Sequence, residues 1–133
     1  MDIKAAIQEI QSQHAKLSSL AEVLGTAAMR PGASLAETPF AELSAFVASH
    51  FRFEEQVMQV HGYPMRERHA QAHARLLSEL DAWRKAHDAS SGADLFQHVE
   101  ALWRWLLDHI DAEDQELVHW LQRKSFAAIP APG

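Results

Sequence analysis

The sequence predicts an all-α protein, folded as an antiparallel, up-down-up-down four-helix bundle. The 133 residues include only five Gly and five Pro, too few for an architecture of strands and tight turns, and Leu and Ala prevail over Val and Ile. Apolar residues recur at alternating steps of three and four in four segments, the pattern of helices with one buried face. The connections between the segments are short, which makes neighbouring helices antiparallel.

The first helix is predicted to run from Asp2, a suitable N-cap, to about Met29, where the residues RPG end it. Its inward positions are Ile3, Ile7, Ile10, His14, Leu17, Ala21 and Leu24. The second helix begins near Pro39, a residue suited to a first turn, and ends at the sequence HGYP, residues 61–64. Its inward positions are Leu43, Phe46, Val47, His50, Glu54, Val57 and Met58.

The third helix is predicted from about Met65 to Trp83 or slightly beyond, and residues 87–94 form the last interhelical loop. Inward positions on the third helix are His69, His73, Leu76, Leu77, Leu80 and Trp83. Those on the fourth are Leu95, Val99, Leu102, Trp105, Leu106, His109, Ile110, Leu117 and Leu121. We therefore expect one helical domain over residues 1–124 and a flexible tail over residues 125–133.

Composition argues against several classes of function. The formal net charge is -6 with histidines neutral, and no basic stripe is present, so we expect no nucleic-acid partner. No apolar run reaches the roughly 18–20 residues of a membrane span, so we expect no membrane insertion. The start lacks the apolar segment of a signal peptide, and the chain has no Cys, which favours a cytoplasmic location.

Nine histidines are unusual in a chain without Cys, and several of them fall on inward faces. A step of four residues turns a helix only about 40° past a full turn, so His50 shares a face with Glu54, and His69 with His73. Each pattern alone has an ordinary explanation, a surface pair or a hydrogen-bonded core residue. Together they would bury imidazoles and carboxylates that need a positive partner, and a metal ion supplies one.

The second acid of such a site is ambiguous from helical geometry alone. Glu113 lies four residues after His109 and shares its face, whereas Asp114 lies five residues after it, rotated by about 140°. An ideal helix therefore favours Glu113. Asp114 would share the face of His109 only if a wide turn, a π-bulge, intervened.

Four pieces of the chain together resemble the hemerythrin family, specifically its single-domain bacterial members. The pieces are QHAKL (13–17), HFRFEEQVM (50–58), HAQAH (69–73) and WLLDHIDAEDQEL (105–117), in the family's order. The resemblance implies the four-helix bundle, a non-heme di-iron centre and binding of O2. It also favours Asp114 over Glu113, because the family pattern is HIxxxD.

The resemblance implies seven iron ligands: His14, His50, Glu54, His69, His73, His109 and Asp114. Three of the histidines, His69, His73 and His109, would hold one iron, and the other two would hold the second. Both carboxylates would bridge the irons, together with an oxo or hydroxo group. The iron with two histidines would keep one open position, and O2 would bind there.

Four apolar residues beside these ligands are expected to line the O2 pocket: Phe51, Trp105, Leu106 and Ile110. The family places a Leu at the position of Leu106, and the other three flank predicted ligands. Ordinary core packing is the other interpretation of these residues, and both can hold.

The predicted function is reversible O2 binding without catalysis, for oxygen transport, storage or buffering. One alternative is a sensor or interaction module whose partner binding depends on O2 or iron. Another is a di-iron enzyme that acts on peroxide, nitric oxide or iron. A His-rich site has few anionic ligands to stabilise high-valent iron, which argues against oxygenase chemistry.

Overall fold

A computed structural model describes residues 2–127, apart from the side chain of Glu37, and contains four long helices. They are α1 (Ile3–Ala28), α2 (Phe40–His61), α3 (Arg66–His87) and α4 (Gly92–Ala127), with a short 3₁₀ turn at Leu35–Glu37. Within residues 2–127 the only extended pairing is an isolated bridge between Ser34 and Ser91. The prediction of an all-α four-helix fold is confirmed.

The connections between the helices set their directions. Residues 62–65 and 88–91 link α2 to α3 and α3 to α4. Four extended residues reach at most about 14 Å, less than half the length of about 33 Å of a 22-residue helix. The chain therefore cannot return to the start of the preceding helix, and each pair is antiparallel.

Two contacts between distant segments fix the direction of α1. The Gly92 N–H donates to the Ala33 carbonyl at 3.0 Å, so the segment after α1 lies beside the start of α4. At the other end of the bundle, the Lys124 ammonium in the last turn of α4 donates to the carbonyl of His61, the last residue of α2. α1 and α3 thus end at one end of the bundle, and α2 and α4 at the other.

The predicted helix boundaries are close to those observed and differ mainly at the ends of α3 and α4. Asp2 occupies the N-cap position of α1, but its side chain makes no capping hydrogen bond. α3 continues to His87, and α4 begins at Gly92, inside the predicted loop. α4 also continues to Ala127, so the first three residues of the predicted tail are helical. Residues 128–133 of that predicted tail lie outside the described residues.

The buried apolar residues form two clusters, one toward each end of the bundle. The first, here called the large cluster, includes Leu17, Val47, Phe51, Leu76, Leu106 and Ile110. The second, the small cluster, comprises Ala6, Ile10, Val57, Met58, Tyr63, Leu117 and Leu121. Between the clusters, the inward-facing residues of α1, α2 and α4 are His14, Glu54 and Asp114, so a polar layer interrupts the apolar core. No helix within residues 2–127 is long and apolar enough to cross a membrane.

Two glycines allow a matched test of the helix boundaries. Gly62 ends α2 in the left-handed region, with φ 72°, whereas Gly25 lies inside α1, where an added Cβ would meet no atom within 4 Å. We expect Gly62→Ala to lower the free energy of unfolding by about 1 kcal/mol, because an L side chain is strained there. We expect Gly25→Ala to raise it by about 0.5–1 kcal/mol, because alanine favours helix. Urea unfolding measures both, and equal signs would contradict the boundary at Gly62.

Candidate metal centre

The polar layer between the two apolar clusters consists of six side chains contributed by all four helices. Five of them are at most 2% exposed: His50 and Glu54 on α2, His69 and His73 on α3, and Asp114 on α4. The sixth, His14 on α1, is 26% exposed. Buried ionisable groups are rare unless they are paired, so this layer is the strongest candidate for a functional site.

Asp114 stands at the centre of the layer and faces imidazoles on both sides. Its Oδ2 lies 2.6 Å from His14 Nε2 and 3.0 Å from His50 Nε2. Its other oxygen, Oδ1, lies 3.2 Å from His69 Nε2. One carboxylate therefore reaches histidines on three other helices.

Glu54 is the second central carboxylate. Its Oε1 lies 3.1 Å from His73 Nε2, 3.5 Å from His50 Nε2 and 3.7 Å from His69 Nε2. Glu54 and Asp114 are thus shared by two groups of potential ligands, one with His14 and His50 and one with His69 and His73. Within each group one ligand atom per residue lies within 4.8 Å of all the others. Two adjacent cations bridged by two carboxylates would fit this arrangement.

The unsatisfied polar atoms of the layer support a cation. Both carboxylate oxygens of Glu54 and both ring nitrogens of His69 and of His73 are buried and make no hydrogen bond of acceptable geometry with the described residues. A buried polar atom without a partner costs about 1–3 kcal/mol, and a charged one more. Metal ions satisfy carboxylate and imidazole atoms together, so these residues fit a metal centre.

Burial and mutual contact shift the pKa values of several groups in the layer. Burial, reinforced by the neighbouring Asp114, raises the pKa of Glu54 well above its usual value. Burial alone would lower the pKa of His69, but the facing Asp114 and Glu54 raise it to about 9. Burial and the charge of His69 lower the pKa of His73 to about 3.

Asp114 behaves in the opposite way to Glu54. Burial would raise its pKa, but hydrogen bonds with His14 and His50, together with the nearby imidazole of His69, hold it well below the usual value. The two central carboxyl groups therefore differ in pKa because Asp114 has hydrogen-bonding imidazole partners and Glu54 has none among the described residues.

The structure does not bring His109 into the layer, although we expected it on the inward face of α4. His109 is exposed, and its Nδ1 lies 2.9 Å from the Trp105 carbonyl. The reason is geometric: α4 is an unbroken α-helix from Gly92 to Ala127, and a step of five residues rotates by about 140°. With Asp114 inward, His109 must point outward.

Helical geometry alone favoured Glu113 as the second acid, and the structure places Asp114 in the layer instead. Asp114 is 1% exposed, whereas Glu113 is half-buried. Asp114 continues the buried face that carries Leu106, Ile110 and Leu117. These apolar residues fix the rotation of α4 about its axis, and with it the inward acid.

Three of the four predicted pocket residues lie in the large cluster. Phe51 stacks on His73, with ring centroids 3.9 Å apart and planes at 7°. Leu106 and Ile110 are 0% and 2% exposed. Trp105 differs: it is half-buried, its ring centroid lies 5.1 Å from that of His109, and it lines a surface cavity of about 280 Å³.

Two contacts of the layer were not foreseen from the sequence. The Gln13 Oε1 lies 2.7 Å from His50 Nδ1, and Tyr63 meets the ring of His69 edge-on, with centroids 6.3 Å apart. Gln13 directly precedes His14, and this adjacency was the only feature of the sequence that could have indicated its place beside the layer.

Glu55 lies outside the layer. It is 41% exposed, and its Oε2 lies 3.8 Å from His73 Nδ1, longer than a hydrogen bond.

Comparisons with known proteins agree with this geometry. Residues 5–121 match the model of the hemerythrin HHE cation binding domain. Among curated relatives, a bacteriohemerythrin of Pseudomonas paraeruginosa (strain DSM 24068 / PA7) is 30% identical over 115 residues, covering 85% of this chain and 73% of the relative. A bacteriohemerythrin of Stenotrophomonas maltophilia (strain R551-3) is 28% identical over 115 residues, covering 86% and 74%. No solved structure matched the chain. With the family model spanning most of its length and a histidine–carboxylate layer at its centre, the chain belongs to the hemerythrin HHE cation binding domain family.

Proposed function

We propose that the polar layer holds two non-heme iron ions with a bridging oxo or hydroxo group, and that the protein binds O2 reversibly at one of them. The observation that carries this proposal is the sharing of Glu54 and Asp114 by two groups of histidines. A single metal ion leaves that sharing unexplained, because each carboxylate faces imidazoles on two sides.

The donor types suit iron. Imidazole and carboxylate are ordinary ligands of iron, and the chain offers no thiolate, since it contains no Cys. Two ferrous ions bring four positive charges, and the two buried carboxylates offset two of them. The remaining ligands of the layer are imidazoles, which would bind metal ions in their neutral form, so the centre would be poor in anionic ligands. Such a site favours reversible binding over high-valent oxidation chemistry.

The two halves of the layer differ in exposure, and this supports an open position at the half with His14 and His50. His14 is 26% exposed, while His69 and His73 are at most 3% exposed. A small ligand from solvent would meet the His14 side first. Ferrous iron there would supply the electrons that O2 binding requires.

The apolar neighbours would keep water from the bound ligand. Phe51 covers one face of His73, and Leu106 and Ile110 belong to the same buried cluster. A dry surrounding strengthens hydrogen bonds and charge interactions inside the site. It also limits the loss of oxidising equivalents to solvent. We include these three residues in the proposed pocket, and Trp105 as a neighbour of His109.

His109 is the seventh proposed ligand, on the strength of the family pattern. In the structure it lies on the opposite side of α4 from Asp114. Two residues that are five positions apart on a helix point to the same side only if a wide turn, a π-bulge, lies between them. His109 could therefore bind iron only if α4 forms such a turn between His109 and Asp114. The variant His109→Ala tests whether His109 is a ligand.

One prediction concerns the spectrum of the iron-loaded protein. Purified under argon and supplied with Fe(II), the protein should bind two irons per chain, gain a visible charge-transfer band on oxygenation, and lose that band when oxygen is removed. Absorption spectroscopy with iron determination measures both quantities.

A band that persists after oxygen removal would contradict reversible binding. Rapid turnover of peroxide or nitric oxide at the loaded centre would instead support the enzyme alternative. Asp114→Asn is the matched control, because it removes a carboxylate shared by both groups and should sharply reduce iron content.

Another prediction concerns His109 alone. We expect His109→Ala to lower the bound iron from two toward one per chain and to weaken the oxygenated band, because one iron loses a ligand. The exposed His119 lies on the same helix, and His119→Ala should leave both quantities unchanged. Full iron content and an unaltered band in His109→Ala would show that the six residues of the layer suffice.

A further inference from the structure

A hydrogen-bonded chain reaches the polar layer from the surface of α1. Gln13 is half-buried, and its Oε1 lies 2.7 Å from Nδ1 of the fully buried His50 on α2. On its other side, the Gln13 Nε2 donates to Glu9 Oε1 at 3.2 Å, one turn earlier on α1. Glu9, Gln13 and His50 thus form a continuous series of polar contacts.

This series fixes the orientation of each group. A carboxylate accepts hydrogen bonds, so Glu9 holds the amino end of the Gln13 amide. The amide oxygen must then face His50, and an amide oxygen accepts but cannot donate. The proton shared by Gln13 and His50 therefore belongs to His50 Nδ1.

The assignment of that proton determines what His50 presents to the layer. In a neutral imidazole one nitrogen carries the proton and the other carries a lone pair. With Nδ1 protonated, a cation that displaces the proton shared by Nε2 and Asp114 would meet a lone pair on Nε2, which is 3.0 Å from Asp114 Oδ2 and 3.5 Å from Glu54 Oε1. A lone pair facing two carboxylates is the arrangement of ligands around a cation.

The other buried histidines lack such an outer partner at comparable distance among residues 2–127. The nearest outer carboxylate to His73 is Glu55, at 3.8 Å, and both ring nitrogens of His69 are without a hydrogen bond to the described residues. The half of the layer that contains His50 is therefore the one held by an outer hydrogen bond.

We propose that Gln13 is a positioning residue for His50: it accepts the Nδ1 proton, fixes the tautomer and directs Nε2 toward the metal ion, while Glu9 holds the amide in the required orientation. The inference rests on the proposed di-iron function. Gln13 would act through the ligand His50, which lies in the half of the site that we propose binds O2.

Three variants on α1 test the proposal. Gln13→Leu removes the acceptor at similar size, Gln13→Glu keeps an acceptor for the Nδ1 proton, and Gln11→Leu alters an exposed glutamine two residues away as a control. Loss of an outer partner of a ligating histidine typically weakens metal binding about 10–100-fold. We expect Gln13→Leu alone to show this loss of Fe(II) affinity, measured by competition with a chelator. In Gln13→Glu we expect a lower reduction potential of the iron pair.

Nuclear magnetic resonance of ¹⁵N-histidine-labelled, metal-free protein supplies a readout that does not depend on iron. The Nδ1 proton of His50, assigned by its loss in His50→Ala, should exchange slowly in the parent protein and in Gln13→Glu, and rapidly in Gln13→Leu. Unchanged exchange and unchanged Fe(II) affinity in Gln13→Leu would overturn the proposal. If the parent protein binds no iron pair, the proposed function fails, and the proton resonance still decides whether Gln13 orients His50.

Discussion

The burial of two carboxylates side by side, Glu54 and Asp114, is the constraint on which the rest of this structure depends. Each buried charge without compensation costs several kcal/mol, and a domain of this size has a total stability of only about 5–15 kcal/mol. The bundle meets this constraint by surrounding the pair with imidazoles from α1, α2 and α3. Because every helix contributes a side chain to the layer, the packing of all four helices depends on the contacts that Glu54 and Asp114 make there.

Most of the fold could be predicted from the sequence because apolar periodicity determines how each helix is rotated. The same principle explains the main difference at the site. Leu106, Ile110 and Leu117 require one face of α4 to be inward, and Asp114 occupies that face. His109 lies about 140° away on a continuous helix, so a pattern that assigns both residues to one site conflicts with the geometry of an unbroken α4. Family resemblance favoured Asp114, which the structure places inward, and ideal helical geometry gives the angle between Asp114 and His109.

What the sequence could not predict depends on distances between helices. Gln13 and His50 are 37 residues apart, and no spacing rule relates a residue on one helix to a ring nitrogen on the next. The surface position of Trp105 follows from the rotation of α4 and could be inferred only once His109 was known to point outward. Helix ends were similarly difficult, because α3 and α4 extend into a segment whose composition suggested a longer loop.

The two apolar clusters give the polar layer its chemical character. The large cluster contributes Phe51, which covers His73, and the small cluster contributes Tyr63, which meets His69 edge-on. The half that contains His69 and His73 is therefore enclosed, and the half that contains His14 is reached more easily from solvent. This difference in access arises from packing alone, without any difference in ligand type.

Anomalous diffraction at the iron edge, from crystals of the iron-loaded protein, would locate the metal ions relative to Glu54 and Asp114. We expect two iron peaks within the polar layer, both in contact with Glu54 and Asp114, one beside His14 and His50 and the other beside His69 and His73. A single peak, or iron bound outside this layer, would contradict this expectation.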